Sequence, residues 1–268
     1  MSGVVGWAAF RLPQIKIQVI LAWLILLAST QIATLTSVHA PANREWTFMV
    51  YLDADNNLEP AGIKDINEME IVGSSDSLAI IVQMDRIPGY DSSNGDWVET
   101  RRYYVTQDAD VEKINSDLLG NMDELNMGDK NTLSSFATWA MQTYPAQHYA
   151  LVLWDHGGSS VMGPSTCWDD TNGEDCLTVA EIKEALADVY GAIGEKIDVL
   201  AFDACLMGKI EVAYQVREYV SYMVGSEEVE PGDGYPYDML LAELAASPSM
   251  PPAQLAATIF AKYADSHI

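Results

Sequence analysis

Strand-like apolar runs separated by helix-like stretches constrain this chain more than any other feature. REWTFMVYLDAD spans Arg44 to Asp55, SLAIIVQMDR spans Ser77 to Arg86, and HYALVLWDHGG, KIDVLAFDAC and VSYMVGSEE begin at His148, Lys196 and Val220. Runs this apolar belong to strands covered on both faces rather than strands with one wet side. The segments between them carry helical signals. LEPAGIKDINEMEIVG follows Asp55-Asn56-Asn57, residues suited to capping, and NTLSSFATWAMQTY, from Asn131 to Tyr144, spaces Leu133, Phe136, Ala137 and Ala140 along one helix face. Thr178 and Glu181 form a capping-box pair ahead of a helix running to Tyr190, and GKIEVAYQVREY reads as a further helix. This order predicts an α/β fold, a mostly parallel sheet with helices on both faces. DWVETRRYYVT, after the turn-rich PGYDSSNG, alternates in the manner of an edge or hairpin strand.

In such a sheet, ligands bind outside the carboxyl ends of the strands. One strand ends at Asp155-His156-Gly157-Gly158, another at Asp203-Ala204-Cys205, and a third leads into Ser226-Glu227-Glu228 and then Asp233. All three ends are expected along one sheet edge, so His156, Cys205 and several carboxylates meet there despite their distance in sequence. A thiol beside an imidazole is a workable nucleophilic pair, because the thiolate attacks and a nearby imidazolium favours it. Gly157 and Gly158 allow backbone to approach a substrate closely, with amides able to face a developing oxyanion. Asp203 and Asp233 are candidates for a cation pocket, since paired carboxylates hold guanidinium or ammonium groups. Spacing alone does not lift Cys205 above the ordinary role of a cysteine after a strand, a small buried side chain.

The charge balance narrows the choice of partners. The chain has 39 acidic against 14 basic residues, a net charge of -25, and no acid precedes Glu45. Such a surface repels nucleic acid and anionic lipid and favours cationic ligands, although much of the charge needs no role beyond solvation. The first 40 residues are the opposite in character. Arg11 and Lys16 stand ahead of IQVILAWLILLA, Ile17 to Ala28, and the polar-tinged segment after it ends in Val38-His39-Ala40, a small-residue cleavage pattern. Residues 1–40 therefore read as a signal peptide or an N-terminal membrane anchor. The short run and the polar residues after it favour a cleaved signal; an anchor would tether the protein to a membrane. Either way the expected location is secreted or cell-surface. Residues 45–268 then form one domain, whose last residues, KYADSHI, fall inside a helix-like stretch, as in a domain cut short at its C-terminus.

Export permits disulfides, and the chain has three cysteines. A local bridge between Cys167 and Cys176, within CWDDTNGEDC, would leave Cys205 free; two free thiols in that loop is the equal alternative. DADNNLEPAGIK opens like a calcium loop but lacks the residues an EF-hand needs at its sixth and twelfth positions, so Asp53 to Asn57 reads as strand-end and helix-capping chemistry. The sequence holds no Gly-x-Ser-x-Gly elbow, P-loop or HExxH helix, and Glu211 stands where a phosphatase loop would carry arginine. Cys167, Cys176 and His156 match no zinc-site spacing.

Four motifs in order, MVYLDADNNLE, YALVLWDHGGS, LAFDACLMG and SEEVEPGDGYPYD, resemble the clostripain family of cysteine peptidases, from about Trp46 to the end of the chain. The resemblance implies a caspase-like three-layer α/β/α sandwich and cleavage of protein or peptide substrates after Arg or Lys. His156 and Cys205 match the family's catalytic dyad, and Asp203 and Asp233 match acids that line its specificity pocket. Cys205 would form a thioester. In this fold family the histidine stands too far from the thiol for a tight ion pair, so His156 is expected to protonate the leaving amine and then activate water. The amides of Cys205 and Gly157 are the oxyanion-hole candidates. No cofactor is required by the resemblance, and calcium is possible, since calcium dependence occurs within the family without being general. Residues 157–182 contain neither Lys nor Arg, so the self-cleavage that some members undergo in that loop is not expected. The competing reading is an exported binding protein that keeps the fold without the activity; intact His156 and Cys205 argue against it.

Overall fold

A computed structural model describes residues 44–158 and 165–267; the N-terminal segment read above as a signal or anchor lies outside the described residues. The core is a seven-stranded sheet in the order β4-β3-β2-β1-β5-β8-β9. Strand β1, Trp46–Ala54, is central, with β2, Leu78–Arg86, and β5, His148–Trp154, parallel on either side. Strands β8, Ile197–Asp203, and β9, Val220–Val224, continue the parallel half. On the other side β3, Arg101–Tyr104, and β4, Asp117–Asn121, add antiparallel strands. The β3 segment is thus shorter than DWVETRRYYVT suggested and is the hairpin strand, antiparallel to β2, rather than the edge. The edge is β4, whose residues are nearly all exposed, leaving no apolar run to mark it.

All nine residues of β1 and all nine of β2 are buried, which accounts for their continuous hydrophobicity. Alternate residues point to opposite faces and feed two separate apolar layers. Phe48, Val50 and Leu52 pack with helices α1, Glu59–Val72, α5, Tyr237–Ala246, and α6, Pro252–His267. Met49, Tyr51, Leu151 and Phe202 pack with α2, Lys130–Thr143, α3, Val179–Ile193, and α4, Ile210–Val216. The result is a three-layer α/β/α sandwich. Thr178 caps α3 as expected, accepting from the Glu181 amide while Glu181 returns the bond to the Thr178 amide. No helix among the described residues is long and apolar enough to cross a membrane.

At the strand ends, Arg86 is fully buried, its Nε 2.6 Å from Glu59 Oε1 and its guanidinium over the Trp97 ring at 4.8 Å. That ion pair ties the end of β2 to the start of α1. The CWDDTNGEDC segment is a hairpin of β6, Thr166–Asp169, and β7, Asp175–Leu177. The cysteine bridge weighed from the sequence is not formed, and all three cysteines are free thiols. Cys167 falls at the register shift of the hairpin with φ of 56°, and its side chain is buried in the layer beneath α2 and α3. It is Trp168, not Cys167, that stands opposite Cys176.

Candidate active site

The register between β5 and β8 brings the two functional segments together. Trp154 pairs with Asp203, so His156 and Cys205 each lie two residues past a registered pair. Gly157 completes the approach. A Cβ there would overlap the carbonyl oxygen of Cys205, so only glycine lets the His156 loop lie against the Cys205 backbone. Gly158 donates its amide to Ser165 O at 2.8 Å, which commits that group to the loop and leaves Gly157 and Cys205 as the backbone donors to consider.

The His156 loop is held by a buried carboxylate. Asp155 accepts at Oδ1 from Asn56 Nδ2, 2.8 Å, and at Oδ2 from the Trp168 amide. Asn56 also donates to Trp168 O and accepts from the Leu58 amide, both at 2.9 Å, so one amide side chain joins β1, the hairpin and the start of α1. Thr166 Oγ1 donates to His156 O at 2.9 Å. The imidazole itself meets Asn57, with Nε2 2.9 Å from Oδ1. With the Asn57 oxygen facing the ring, the neutral tautomer that satisfies this contact carries its proton on Nε2. Half-burial lowers the His156 pKa and favours the neutral ring.

Across the cleft the chain turns sharply after Cys205. Leu206 adopts φ of 63°, unusual for leucine, and is fixed by its amide bond to Glu228 O at 3.0 Å. Cys205 is half-buried, and its Sγ accepts from the Glu230 amide at 3.2 Å. A cleft of about 250 Å³ is lined by His156 and Cys205 together with Asp65, Asp203 and Glu230. The nucleophile candidate, the imidazole and four acids, these three and Asp155, therefore share one space.

Asp203 is buried. It accepts from Tyr237 Oη at 2.9 Å and from the Tyr235 amide at 3.1 Å. Gly234 makes room for it: with φ of 56°, it would place a Cβ 2.8 Å from Asp203 Oδ1. Burial raises the Asp203 pKa to about 7 against the lowering effect of those hydrogen bonds. Burial, and then the Asp203 charge, push Glu230 up to about 9. Burial also raises Asp65, which accepts from the Trp154 indole at 2.7 Å.

Asp233, by contrast, does not line the cleft. Its side chain is 78% exposed and pairs with Lys64 at 3.1 Å. The Pro231-to-Gly234 turn, closed by the Gly234 amide on Pro231 O at 3.1 Å, explains the difference by carrying Asp233 to the rim while Glu230, before the turn, faces inward. Glu230 is the residue that sequence reasoning missed. Its one signal was membership of the same EPGDG turn, and composition cannot say which acid of a turn points in.

The Clostripain family profile matches residues 50–267. The chain is 35% identical to Clostripain of Hathewaya histolytica, an alignment covering 76% of this chain and 43% of that protein. A secreted C11 cysteine protease from Bacteroides thetaiotaomicron, solved with an irreversible peptide inhibitor, superposes with a TM-score of 0.66 at 28% identity, over 84% of this chain and 59% of that one. An inactive zymogen C11 protease from Parabacteroides distasonis shares the fold, with a TM-score of 0.64 at 22% identity, over 85% and 60% of the two chains. The chain thus spans under half the length of the curated relative and about three fifths of the solved ones. With a profile match over residues 50–267 and 35% identity to a clostripain, the chain belongs to the clostripain family.

Proposed function

We propose that this domain is a cysteine endopeptidase that cleaves after Arg or Lys. The observation that carries the reading is the single cleft in which Cys205, His156 and a group of buried carboxylates meet. Cys205 Sγ attacks the substrate carbonyl carbon, forming a carbon–sulfur bond while the carbonyl electrons move to oxygen. The amides of Cys205 and Gly157 stabilise that oxyanion. As the oxyanion's electrons re-form the carbonyl, the carbon–nitrogen bond breaks and the departing amine takes, through His156, the proton that the Cys205 thiol gave up. Water then loses a proton to the same ring and attacks the thioester, and that proton returns to sulfur as the carbon–sulfur bond breaks. Asp203 and Glu230 read the basic side chain. With raised pKa values they share protons when the cleft is empty, and a guanidinium or ammonium group displaces a proton and binds the ionised pair. Asp233 acts at the rim, in competition with Lys64.

Export is part of the same reading. Residues 1–40 carry Arg11 and Lys16 ahead of an apolar run, and a family relative is secreted. The direct test is a peptide probe with Arg next to a thiol-reactive group. Peptide mapping is expected to find the adduct on Cys205, with protection by an arginine-containing competitor. Equal labelling by a probe with Asp in place of Arg would overturn the specificity, and absence of any adduct on Cys205 would overturn the catalytic assignment.

A further inference from the structure

A second cavity adjoins the catalytic cleft beside the segment that follows β9. Residues 226–230 run along the loop that carries the nucleophile and are tied to it at every second residue. The Gly208 amide donates to Ser226 O at 2.7 Å, the Leu206 amide to Glu228 O at 3.0 Å, and the Glu230 amide to Cys205 Sγ at 3.2 Å. The segment is therefore a ledge fixed against Cys205. Glu230, at its end, lines both the cleft and a further cavity of about 220 Å³, so the two spaces share a wall.

The second cavity is largely apolar where the first is acidic. Val224, at the end of β9, Tyr235, and Ile259, Phe260 and Tyr263 of α6 line it. Its walls are formed before anything enters. Tyr235 Oη donates to Phe202 O at 2.7 Å, and the Tyr235 and Tyr263 rings meet edge to face with centroids 5.8 Å apart. His267 packs edge-on against Tyr263, and its Nε2 lies 3.0 Å from Gly234 O, so α6 is fastened to the turn that shapes the cleft. Phe260 differs from its neighbours. It is 66% exposed, apolar surface that an entering side chain would take out of water.

The cavity is also close to the reacting sulfur. Burial, and then the charges of Glu230, Asp203 and Cys205, push the Tyr263 hydroxyl up to about 12, so this wall lies within electrostatic reach of the nucleophile. In an extended peptide, successive side chains point to opposite sides of the backbone, and neighbouring Cα atoms stand about 3.8 Å apart. A substrate whose basic side chain enters the acidic cleft thus turns the preceding side chain the other way, one residue further on. Two cavities divided by Glu230 match that step.

We propose that this cavity is a substrate subsite for an apolar side chain, aliphatic or aromatic, at the position immediately before the scissile Arg or Lys. The proposal rests on the peptidase reading and adds a second requirement to it, an apolar residue followed by a basic one. Glu227 and Glu230 border the cavity, which disfavours an acidic side chain there.

The test compares matched, N-terminally blocked fluorogenic peptides of the form X-Arg, with Leu, Phe, Gly, Asp or Lys at X, on full-length wild-type protein and on Phe260→Ser. Leu-Arg and Phe-Arg are expected to exceed Gly-Arg by at least about tenfold in kcat/KM, chiefly through KM, with Asp-Arg lower still. Phe260→Ser changes an exposed position and should keep the thermal midpoint while shrinking the ratio of Phe-Arg to Gly-Arg turnover by at least about threefold. Equal turnover of the Leu, Phe and Gly peptides, a preference for Lys at X, or an unchanged ratio in folded Phe260→Ser would each overturn the subsite and leave the peptidase reading standing. Failure to hydrolyse any of the peptides would instead refute that reading, and the subsite with it.

Discussion

Asp203→Asn isolates the charge of the cleft from its shape. Asp203 Oδ2 lies 2.9 Å from Tyr237 Oη and 3.2 Å from the Tyr235 amide, so an amide oxygen at that position retains both bonds. The variant is therefore expected to fold. A desolvated guanidinium in the cleft would lose one of two carboxylate partners. Breaking a buried ion pair costs about 3–5 kcal/mol, and with Glu230 still present the lower end applies. About 3 kcal/mol corresponds to a loss on the order of 10²-fold in kcat/KM. The assay compares matched peptides with arginine or citrulline before the scissile bond, which differ in charge and little in shape. Wild-type protein should prefer arginine strongly, and Asp203→Asn should bring the ratio down by about 10²-fold while citrulline turnover changes little. An unchanged ratio would refute the reasoning.

The same variant has a signature in stability. Asp203 and Glu230, with folded pKa values raised to about 7 and about 9, hold protons in the folded state that the unfolded chain has released. Between about pH 4 and pH 9 the folded state thus binds more protons, and stability falls as pH rises. Asp203→Asn removes part of that slope, so its thermal midpoint should decline less than the wild-type value between about pH 5 and pH 8. Parallel declines would show that Asp203 is not held protonated by its surroundings.

Three further outcomes follow from particular contacts. Thiol titration of unreduced protein should find three free thiols after denaturation and, in the native state, Cys205 and Cys176 reacting while buried Cys167 is protected; a single thiol after denaturation would restore the Cys167–Cys176 bridge. Glu59→Gln removes the closer of the two carboxylates that Arg86 meets, leaving Asp91 at 3.9 Å, so chemical denaturation should register a loss of about 3 kcal/mol, and a loss below about 1 kcal/mol would mean the pair is solvated. Gly157→Ala forces the His156 loop away from the Cys205 backbone, and should cut kcat/KM by at least about 10²-fold with the thermal midpoint little changed; near-normal turnover would rule out that close approach.

Much of the fold is legible in the sequence because its strands are buried on both faces, and the capping pair Thr178 and Glu181 marks the start of α3 where the structure has it. Strand β4 is not legible: at the edge of the sheet its residues face solvent, and pairing with β3 supplies what its composition does not. The β6–β7 hairpin is hidden in the same way, since Asp, Asn and Gly state only that the chain turns. In the site, sheet topology alone brings His156, Asp203 and Cys205 to one edge. Glu230 and Asp233 lie outside regular structure, and which of them enters the cleft depends on the turn at Pro231 and on Lys64 from a distant helix.

Turnover of four matched fluorogenic peptides, ending in Arg, Lys, Asp or Asn before the reporter, tests the central claim most directly when measured on wild-type protein and on Cys205→Ala. The account predicts hydrolysis of the Arg and Lys peptides alone, abolished by Cys205→Ala. Hydrolysis of the Asp or Asn peptides at comparable rates, or full activity without the Cys205 thiol, would contradict it.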